Sequence, residues 1–508
     1  MNRRHFLHTA TALGAAAAWP AFALAPDGQA FDTAAATHPW LTPFKGVSDA
    51  TQDLRCDALE LSGRWPAALR GRFYRNGPAL HERDGQRYRH WFAGDGMVQQ
   101  FTIDGGARGV GASVKHLGRL VRTPKLLAEQ GAGRFLVDAY GTHIESDTPS
   151  QGPDTFNVAN TNAIEHAGRV LAMWEGGSAF ALNPADLSTL GPVTWQDGLA
   201  QMPFSAHPKL DAAGTLWNFG SAGAKLVVWQ IDASGALVKA QFGESPYPGG
   251  MVHDMAITAQ YLVLPLPPVK FRFGADVAGA FQYEANEPLR ILVMRKDDIT
   301  QRRVFELPAQ MVFHVGNAFE RADGSIVLSY VGAHYPRFMF EGAVAVMSGH
   351  PASFGGSSTQ VARLDMRSGR ASVQGFGDSV EFPRMHPQRN GLPARHLLTA
   401  AAWRAGADGK PLSWFHGLQL RDTVTAQVQR YDYGRTTVVE EHIFVPKPGA
   451  THELDAWLLG TTFDTTRQVT RVNLLDARHI ADGPIAQATL PYLLPYGFHG
   501  NFTSALAS

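Results

Sequence analysis

Cysteine is nearly missing from this sequence. Its 508 residues hold one, Cys56, which excludes an internal disulfide framework and any cluster of thiolate metal ligands. Net charge is missing as well, since 45 Lys and Arg stand against 45 Asp and Glu. A neutral chain has no basic footprint for a nucleic acid, and none is expected as a partner. Beyond the N-terminal leader no stretch approaches the ~20 consecutive apolar residues that cross a bilayer as a helix. Local catalytic signatures are equally scarce. His452-Glu453 lacks the second histidine of a zincin, and His253-Asp254 lacks the intervening residue of a common facial triad. Gly94-Asp95-Gly96 does not have the spacing of a phosphate loop.

What is present begins with a leader. Asn2-Arg3-Arg4-His5-Phe6-Leu7 is a twin-arginine pattern, and an alanine-rich stretch follows to Trp19-Pro20. Small residues from Ala21 to Ala25 offer A-x-A-type cleavage sites. Residues 1–25 are therefore expected to be a signal peptide for export of a folded protein. The mature chain is expected in the periplasm, soluble or peripheral to the membrane.

The next feature is the turns. Leu210-Asp211-Ala212-Ala213-Gly214-Thr215-Leu216, Ile231-Asp232-Ala233-Ser234-Gly235-Ala236-Leu237, Arg321-Ala322-Asp323-Gly324-Ser325-Ile326 and Leu364-Asp365-Met366-Arg367-Ser368-Gly369-Arg370 each set a tight polar turn between short apolar runs. Asp supplies a side-chain bond to the turn backbone and Gly the positive φ that hairpins need. Such hairpins recur from about residue 100 to 480, and Pro124–Glu129 is the clearest helical piece between them. Length alone suggests about three domains. Many hairpins spread evenly over one chain predict an all-β architecture, either a closed β-propeller or several sandwiches. No repeat of the WD or kelch kind marks the blades.

Four histidines share one setting. His207, His253, His314 and His499 each lie in a short apolar run flanked by small or turn-forming residues. His499 stands nine residues from the end among Tyr496, Gly497, Phe498 and Gly500, a buried texture rather than a frayed tail. Gaps of 46, 61 and 185 residues exclude a local finger or a helix motif. They suit one ligand per blade, gathered near the axis around one metal. Neutral imidazole is a good ligand for zinc, copper, iron and nickel.

Longer motifs then resemble a known family. Phe73-Tyr74-Arg75-Asn76-Gly77-Pro78, followed by His90-Trp91-Phe92-Ala93-Gly94-Asp95-Gly96-Met97-Val98, is similar to the opening signature of the carotenoid cleavage oxygenases. The resemblance continues in order through Asn160-Thr161-Asn162, Trp174-Glu175-Gly176-Gly177, Ser205-Ala206-His207-Pro208, His253-Asp254 and Phe313-His314. It ends with Glu381-Phe382-Pro383, Ile443-Phe444-Val445-Pro446 and Phe498-His499-Gly500, and spans about residues 40–503.

This resemblance implies a seven-bladed propeller under a cap of loops and helix, with one Fe(II) per chain held by His207, His253, His314 and His499. It implies that Glu175, Glu381 and Glu441 stand behind three of those imidazoles. Glu441 has Glu440 beside it and His442 where the family has proline; Glu440 is expected to be idle. Thr161 matches a position whose methyl crowds an open coordination site. The implied reaction adds both atoms of O2 across one double bond of a polyene to give two carbonyl fragments. Candidate lining residues of the apolar tunnel are Phe92, Phe135 and Tyr140.

Relatives that cleave stilbenes grip a phenol with a tyrosine and a lysine near the segments matching Phe92 and Lys125. Phenylalanine at 92 lacks that hydroxyl, so an apocarotenoid is the expected substrate and a stilbene the alternative. Leu117, Leu120, Val121, Leu126 and Leu127, with Arg119, Arg122 and Lys125, are expected to form a membrane-facing patch at the tunnel mouth; the bland alternative is a helix packed on the propeller. A metal-free ligand-binding propeller and a zinc hydrolase are the readings from other classes.

Overall fold

A computed structural model describes residues 28–505, apart from 107–110, 146–147, 272–280, 353–355 and 406–411. The leader expected at residues 1–25 lies outside the described residues. The polar turns form as their sequences require. Asp211 Oδ1 accepts hydrogen bonds from the backbone N–H of Ala213 at 2.9 Å and Thr215 at 3.0 Å, and Gly214 takes φ +78°. Asp232 with Gly235, Asp323 with Gly324 and Asp365 with Gly369 repeat this chemistry.

These hairpins build seven antiparallel sheets of four or five strands each, which are the blades of a propeller rather than separate sandwiches. Blade 1 has His499–Ser504 innermost, followed outward by Arg70–Leu80, Asp95–Asp104, Ser113–Leu120 and Leu54–Cys56. The inner strands of blades 2 to 7 are Asn162–His166, Lys209–Leu210, Ala256–Ile257, Met311–Glu320, Val380–Arg384 and Thr437–Pro446. The chain closes the ring at both ends. Its C-terminal strand enters blade 1 with Asn76 opposite His499, and Glu60–Gly63 adds an outer strand to blade 7 with Glu60 opposite Thr489. Radial closure of this kind leaves only short strand edges, protected at the axis.

Apolar side chains fill the spaces between blades, including Leu458, Leu474 and Ala488 of blade 7 and Val227, Trp229 and Ile231 of blade 3. The top face carries the cap. The helix Gly28–Thr37 and the turn Pro39–Phe44 bury Phe31 under Arg87, stack Trp40 on Trp414 and set Phe44 against the C-terminal segment, where it stacks on Tyr496 at 4.9 Å. The expected helix runs from Pro124 to Ala132, with Thr123 Oγ1 accepting from Leu126 N at its start and Gly133 at φ +69° ending it. None of the described helices is long and apolar enough to cross a membrane.

Candidate active site

The four imidazoles meet on the propeller axis. His207 and His253 lie in the loops just before the inner strands of blades 3 and 4, His314 is on that of blade 5, and His499 opens that of blade 1. Their ligand atoms all fall within 4.8 Å of one another. His253 Nε2 lies 3.0 Å from His207 Nε2 and 3.2 Å from His314 Nε2. Blades 2, 6 and 7 bring carboxylates behind the rings. His314 Nδ1 donates to Glu381 at 2.6 Å, His499 Nδ1 donates to Glu441 at 2.9 Å, and His253 Nδ1 pairs with Glu175. A carboxylate that accepts Nδ1–H fixes the tautomer and leaves the Nε2 lone pair facing inward.

Three β-bulges aim these groups, and nothing but Pro383 announced them in the sequence, proline in a strand being confined to edges and bulges. Strand register breaks between Val312 and Val315, between Glu381 and Arg384, and between Val439 and His442. An extra residue in one strand bends it and turns a side chain out of the ladder. The breaks fall at His314, beside Glu381 and at Glu440-Glu441. Phe382 takes φ +56°, rare for an aromatic residue, and its ring stacks on His314 at 5.4 Å.

Electrostatics favour a cation at the centre. Burial, then the other three imidazoles, push His207 well below the ordinary histidine pKa. Burial lowers His499 to about 4 despite Glu441. His253 moves the other way: burial opposes its charge, but the Glu175 carboxylate together with Asp254 and Glu381 more than offsets burial and raises the pKa. Glu441 is also buried, yet Arg384 and His499 hold its carboxyl far below the usual range. Lone pairs facing one another at 3.0 and 3.2 Å, with carboxylates behind, repel unless positive charge lies among them. The residues therefore fit a metal ion held by four nitrogens.

Two further side chains that sequence reasoning passed over complete the frame. Asp254 accepts from Lys209 Nζ at 2.8 Å, Met255 N at 2.6 Å and Val315 N at 2.8 Å, and lies 3.8 Å from His207 Nδ1. It thus ties three ligand-bearing segments together. Arg384 grips both oxygens of Glu441 at 2.7 and 2.8 Å and the Gly500 carbonyl at 2.9 Å. Glu440 is not idle. It faces away from the metal centre, buried, pairs with Arg75, and accepts from Thr461 Oγ1 and Gly497 N.

Above the histidines opens a cavity of ≈ 820 Å3. Its floor includes His253, His314 and His499, and its walls include Phe92, Tyr140, Trp174, Phe313, Phe338 and Met251. Thr161 lines it too, with its hydroxyl turned to Asn160 Oδ1 at 3.1 Å. Asn160 donates to the carbonyls of Phe92 and Gly94, both at 2.8 Å, and so fixes the turn that carries Phe92. Of the three expected lining residues, Phe135 falls elsewhere: it is buried against Tyr88, ring centroids 4.1 Å apart, on the far side of the wall.

The expected membrane patch is not formed by these residues either. Leu120, Val121, Leu126 and Lys125 are buried, leaving Leu127 as the exposed one among the large apolar members. Arg119 is engaged by Asp53, and Arg122 by Gln130. The helix packs on the propeller because its apolar face has a strand surface to cover.

A fold and a metal centre of this kind define a class. The chain matches the retinal pigment epithelial membrane protein family over residues 48–504, and it belongs to that family, the carotenoid cleavage oxygenases. Among its relatives, apocarotenoid-15,15'-oxygenase of Synechocystis sp. is 29% identical, aligned over 91% of this chain and 96% of the relative. Lignostilbene-alpha,beta-dioxygenase isozyme III of Sphingomonas paucimobilis is 27% identical over 91% and 97%. The crystal structure of cobalt-substituted Synechocystis apocarotenoid oxygenase superimposes with TM-score 0.80 at 26% identity, covering 92% of this chain and 99% of that one.

Proposed function

We propose that this protein is an Fe(II) dioxygenase that cleaves one carbon–carbon double bond of an apocarotenoid with O2, after export to the periplasm. The observation that carries the reading is a four-imidazole cluster backed by three carboxylates at the floor of an apolar cavity. His207, His253, His314 and His499 would hold the metal, which when bound supplies a place for O2 beside the alkene and the means to activate it. The balance needs no other reductant, because one alkene and one O2 give two carbonyl products.

The chain's own part is placement. Glu175, Glu381 and Glu441 fix the tautomers of three rings. Phe92, Phe313 and Phe338 hold a planar polyene over the cluster and exclude water. Four uncharged donors leave no protein carboxylate at the metal to act as base for a bound water, which weighs against a hydrolase.

An apolar-ended substrate is favoured by the fate of Lys125. Its ammonium is buried and its three hydrogens face Tyr88, Asp95 and Glu129, so it has none for a phenol. Each buried CH2 of a polyene contributes about 0.8 kcal/mol. One observation favours a stilbene as second reading: Tyr140 lines the cavity, and burial together with Glu175 keeps its phenol protonated, a donor available to a substrate hydroxyl.

The test is metal analysis followed by aerobic turnover with apocarotenals and 4-hydroxystilbenes and mass analysis of the products. About one iron per chain is expected, with kcat/KM favouring an apocarotenal by at least about tenfold, the size of a single lost buried hydrogen bond. Stoichiometric zinc with no iron-dependent activity overturns the oxygenase reading. Faster stilbene cleavage overturns the substrate and leaves the metal centre standing.

A further inference from the structure

A second group of buried charges lies beside the cavity, and the proposed reaction does not use it. Lys125 projects from the helix Pro124–Ala132, and its ammonium lies 2.6 Å from Tyr88 Oη, 3.0 Å from Asp95 Oδ1 and 3.0 Å from Glu129 Oε2. Arg83 completes the group, paired with Asp95 and 3.2 Å from Glu129. Two cations and two carboxylates balance, and none of the four side chains is more than 6% exposed. Apolar side chains of similar volume often stabilise as well as such a group, so packing alone does not call for it.

Two walls of the cavity hang from these charges. Asp95 follows the Trp91–Ala93 turn that carries Phe92. Glu129 Oε1, the oxygen not given to Lys125, accepts the backbone N–H of Leu136 at 3.1 Å. Leu136 begins the stretch to Ile144 from which Val137, Asp138 and Tyr140 line the cavity. That stretch is a unit. Asp138 Oδ1 accepts from Ile144 N at 2.7 Å, and Thr142 Oγ1 from Arg89 N at 2.9 Å. Between the walls, Phe135 packs on Tyr88 with Arg83 5.1 Å over its ring, and Tyr140 stacks on Phe92 at 6.0 Å.

We propose that Arg83, Asp95, Lys125 and Glu129 form a positioning device: they fix the spacing between the Phe92 turn and the Leu136–Ile144 wall. This spacing selects the length of a rod-shaped apolar substrate and the double bond presented to the histidines. The inference rests on the cavity being the substrate site. Glu129 is the residue on which it turns, because of the four it is the one that accepts a backbone hydrogen bond from the Leu136–Ile144 wall. None of the four touches substrate; they act through Phe92 and Tyr140.

Two charge-neutral double variants isolate the anchor from the cost of an unpaired charge. Lys125→Met with Glu129→Gln leaves the Arg83–Asp95 pair and keeps an amide oxygen for Leu136 N. Lys125→Met with Glu129→Leu leaves the same pair and removes the acceptor. Binding of a C20–C30 polyene aldehyde to each metal-free protein is followed by tryptophan quenching, and turnover and product masses are measured on the iron-loaded forms. The Gln variant, which loses Lys125 but keeps an acceptor for Leu136 N, is expected to fall between wild type and the Leu variant. The Leu variant is expected to show Kd and KM raised at least about tenfold, kcat and iron content within about threefold, and cleavage spread over neighbouring double bonds. Equal Kd and a single product in the two doubles overturn the proposal, as does a wild type that binds no polyene aldehyde. A wild type that binds the aldehyde without cleaving it refutes the proposed reaction instead, and the comparison of Kd values still decides the positioning role.

Discussion

Glu440 and Glu441 are adjacent in one strand, both are buried, and they should fail in different ways. Glu441 accepts four hydrogen bonds, from His499 Nδ1, Gly500 N and both ends of the Arg384 fork. Changing it to Gln keeps shape but removes the charge that holds Arg384, leaving it the Gly500 carbonyl and a single neutral amide oxygen in place of a carboxylate fork. Breaking a buried pair in this way costs about 3–5 kcal/mol. The amide also offers His499 a weaker acceptor or, flipped, a competing donor, so metal affinity should fall about 10–100-fold. Glu440→Gln removes the partner of Arg75, itself buried, and weakens the bond to Gly497 N, so a loss of stability of the same order is expected. Glu440 touches none of the imidazoles, however, and metal binding should survive. The assay is melting temperature alongside iron per folded chain after dialysis against a graded chelator. Glu441→Gln holding iron as tightly as wild type, or folded Glu440→Gln losing it equally, refutes this assignment of the two side chains.

Three other outcomes are expected. Glu381→Gln should lose about 10–100-fold in metal affinity or turnover, since it faces His314 Nδ1 at 2.6 Å; an unchanged affinity removes it from the site. Phe92→Tyr should narrow the preference for an apocarotenal over a hydroxystilbene, as a second phenol enters a wall that already holds Tyr140; a ratio that does not move places the phenol-binding end elsewhere. Stability should fall with acid, because burial lowers His90 to about 4, His116 to about 3 and His442 to about 4. Each is neutral in the fold, and the unfolded chain takes up the proton first as pH drops below 6.5, the unshifted value. Stability is thus full above that pH and lost on the way down to about 4 for His90 and His442 and about 3 for His116, on the order of 3–5 kcal/mol per group. A melting temperature equal at about pH 7.5 and about pH 5 contradicts this.

How far the sequence reached follows from which forces it displays. Turn chemistry is local, so Asp211-Gly214 and its relatives predicted real hairpins. The closure of seven blades is not local, and pattern alone left propeller and sandwiches both open. The histidines were legible because an imidazole in an apolar run is unusual, and His499 in a buried tail especially so. Their aim was not legible, because bulges at His314, beside Glu381 and at Glu440-Glu441 change direction without changing composition. Lys125 misled for the opposite reason. A lysine among leucines reads as a surface group, yet three partners distant in sequence or one turn away make burial tolerable. Phe135 misled likewise: an aromatic near the mouth is as ready to cover Tyr88 as to line the cavity.

The position of His499 joins folding to function. Its strand is the innermost of blade 1, and its pairing with Arg70–Leu80 is, with that of Glu60–Gly63 on blade 7, one of the two that close the ring. The fourth imidazole therefore reaches the axis only when the first and last parts of the chain have met. His207, His253 and His314 come from consecutive blades and can gather earlier, but three Nε2 lone pairs at close range repel one another. Metal binding and ring closure should then reinforce each other, since an ion that prefers four nitrogens over three stabilises the closed ring by the difference. The side chains around the seam are built for this. Arg384 of blade 6 and Glu441 of blade 7 meet Gly500 of blade 1, so three blades share one hydrogen-bonded set at the point where the circle joins. A seam held by zipped backbone alone would leave the metal loose, and a metal site without the seam would lack a ligand.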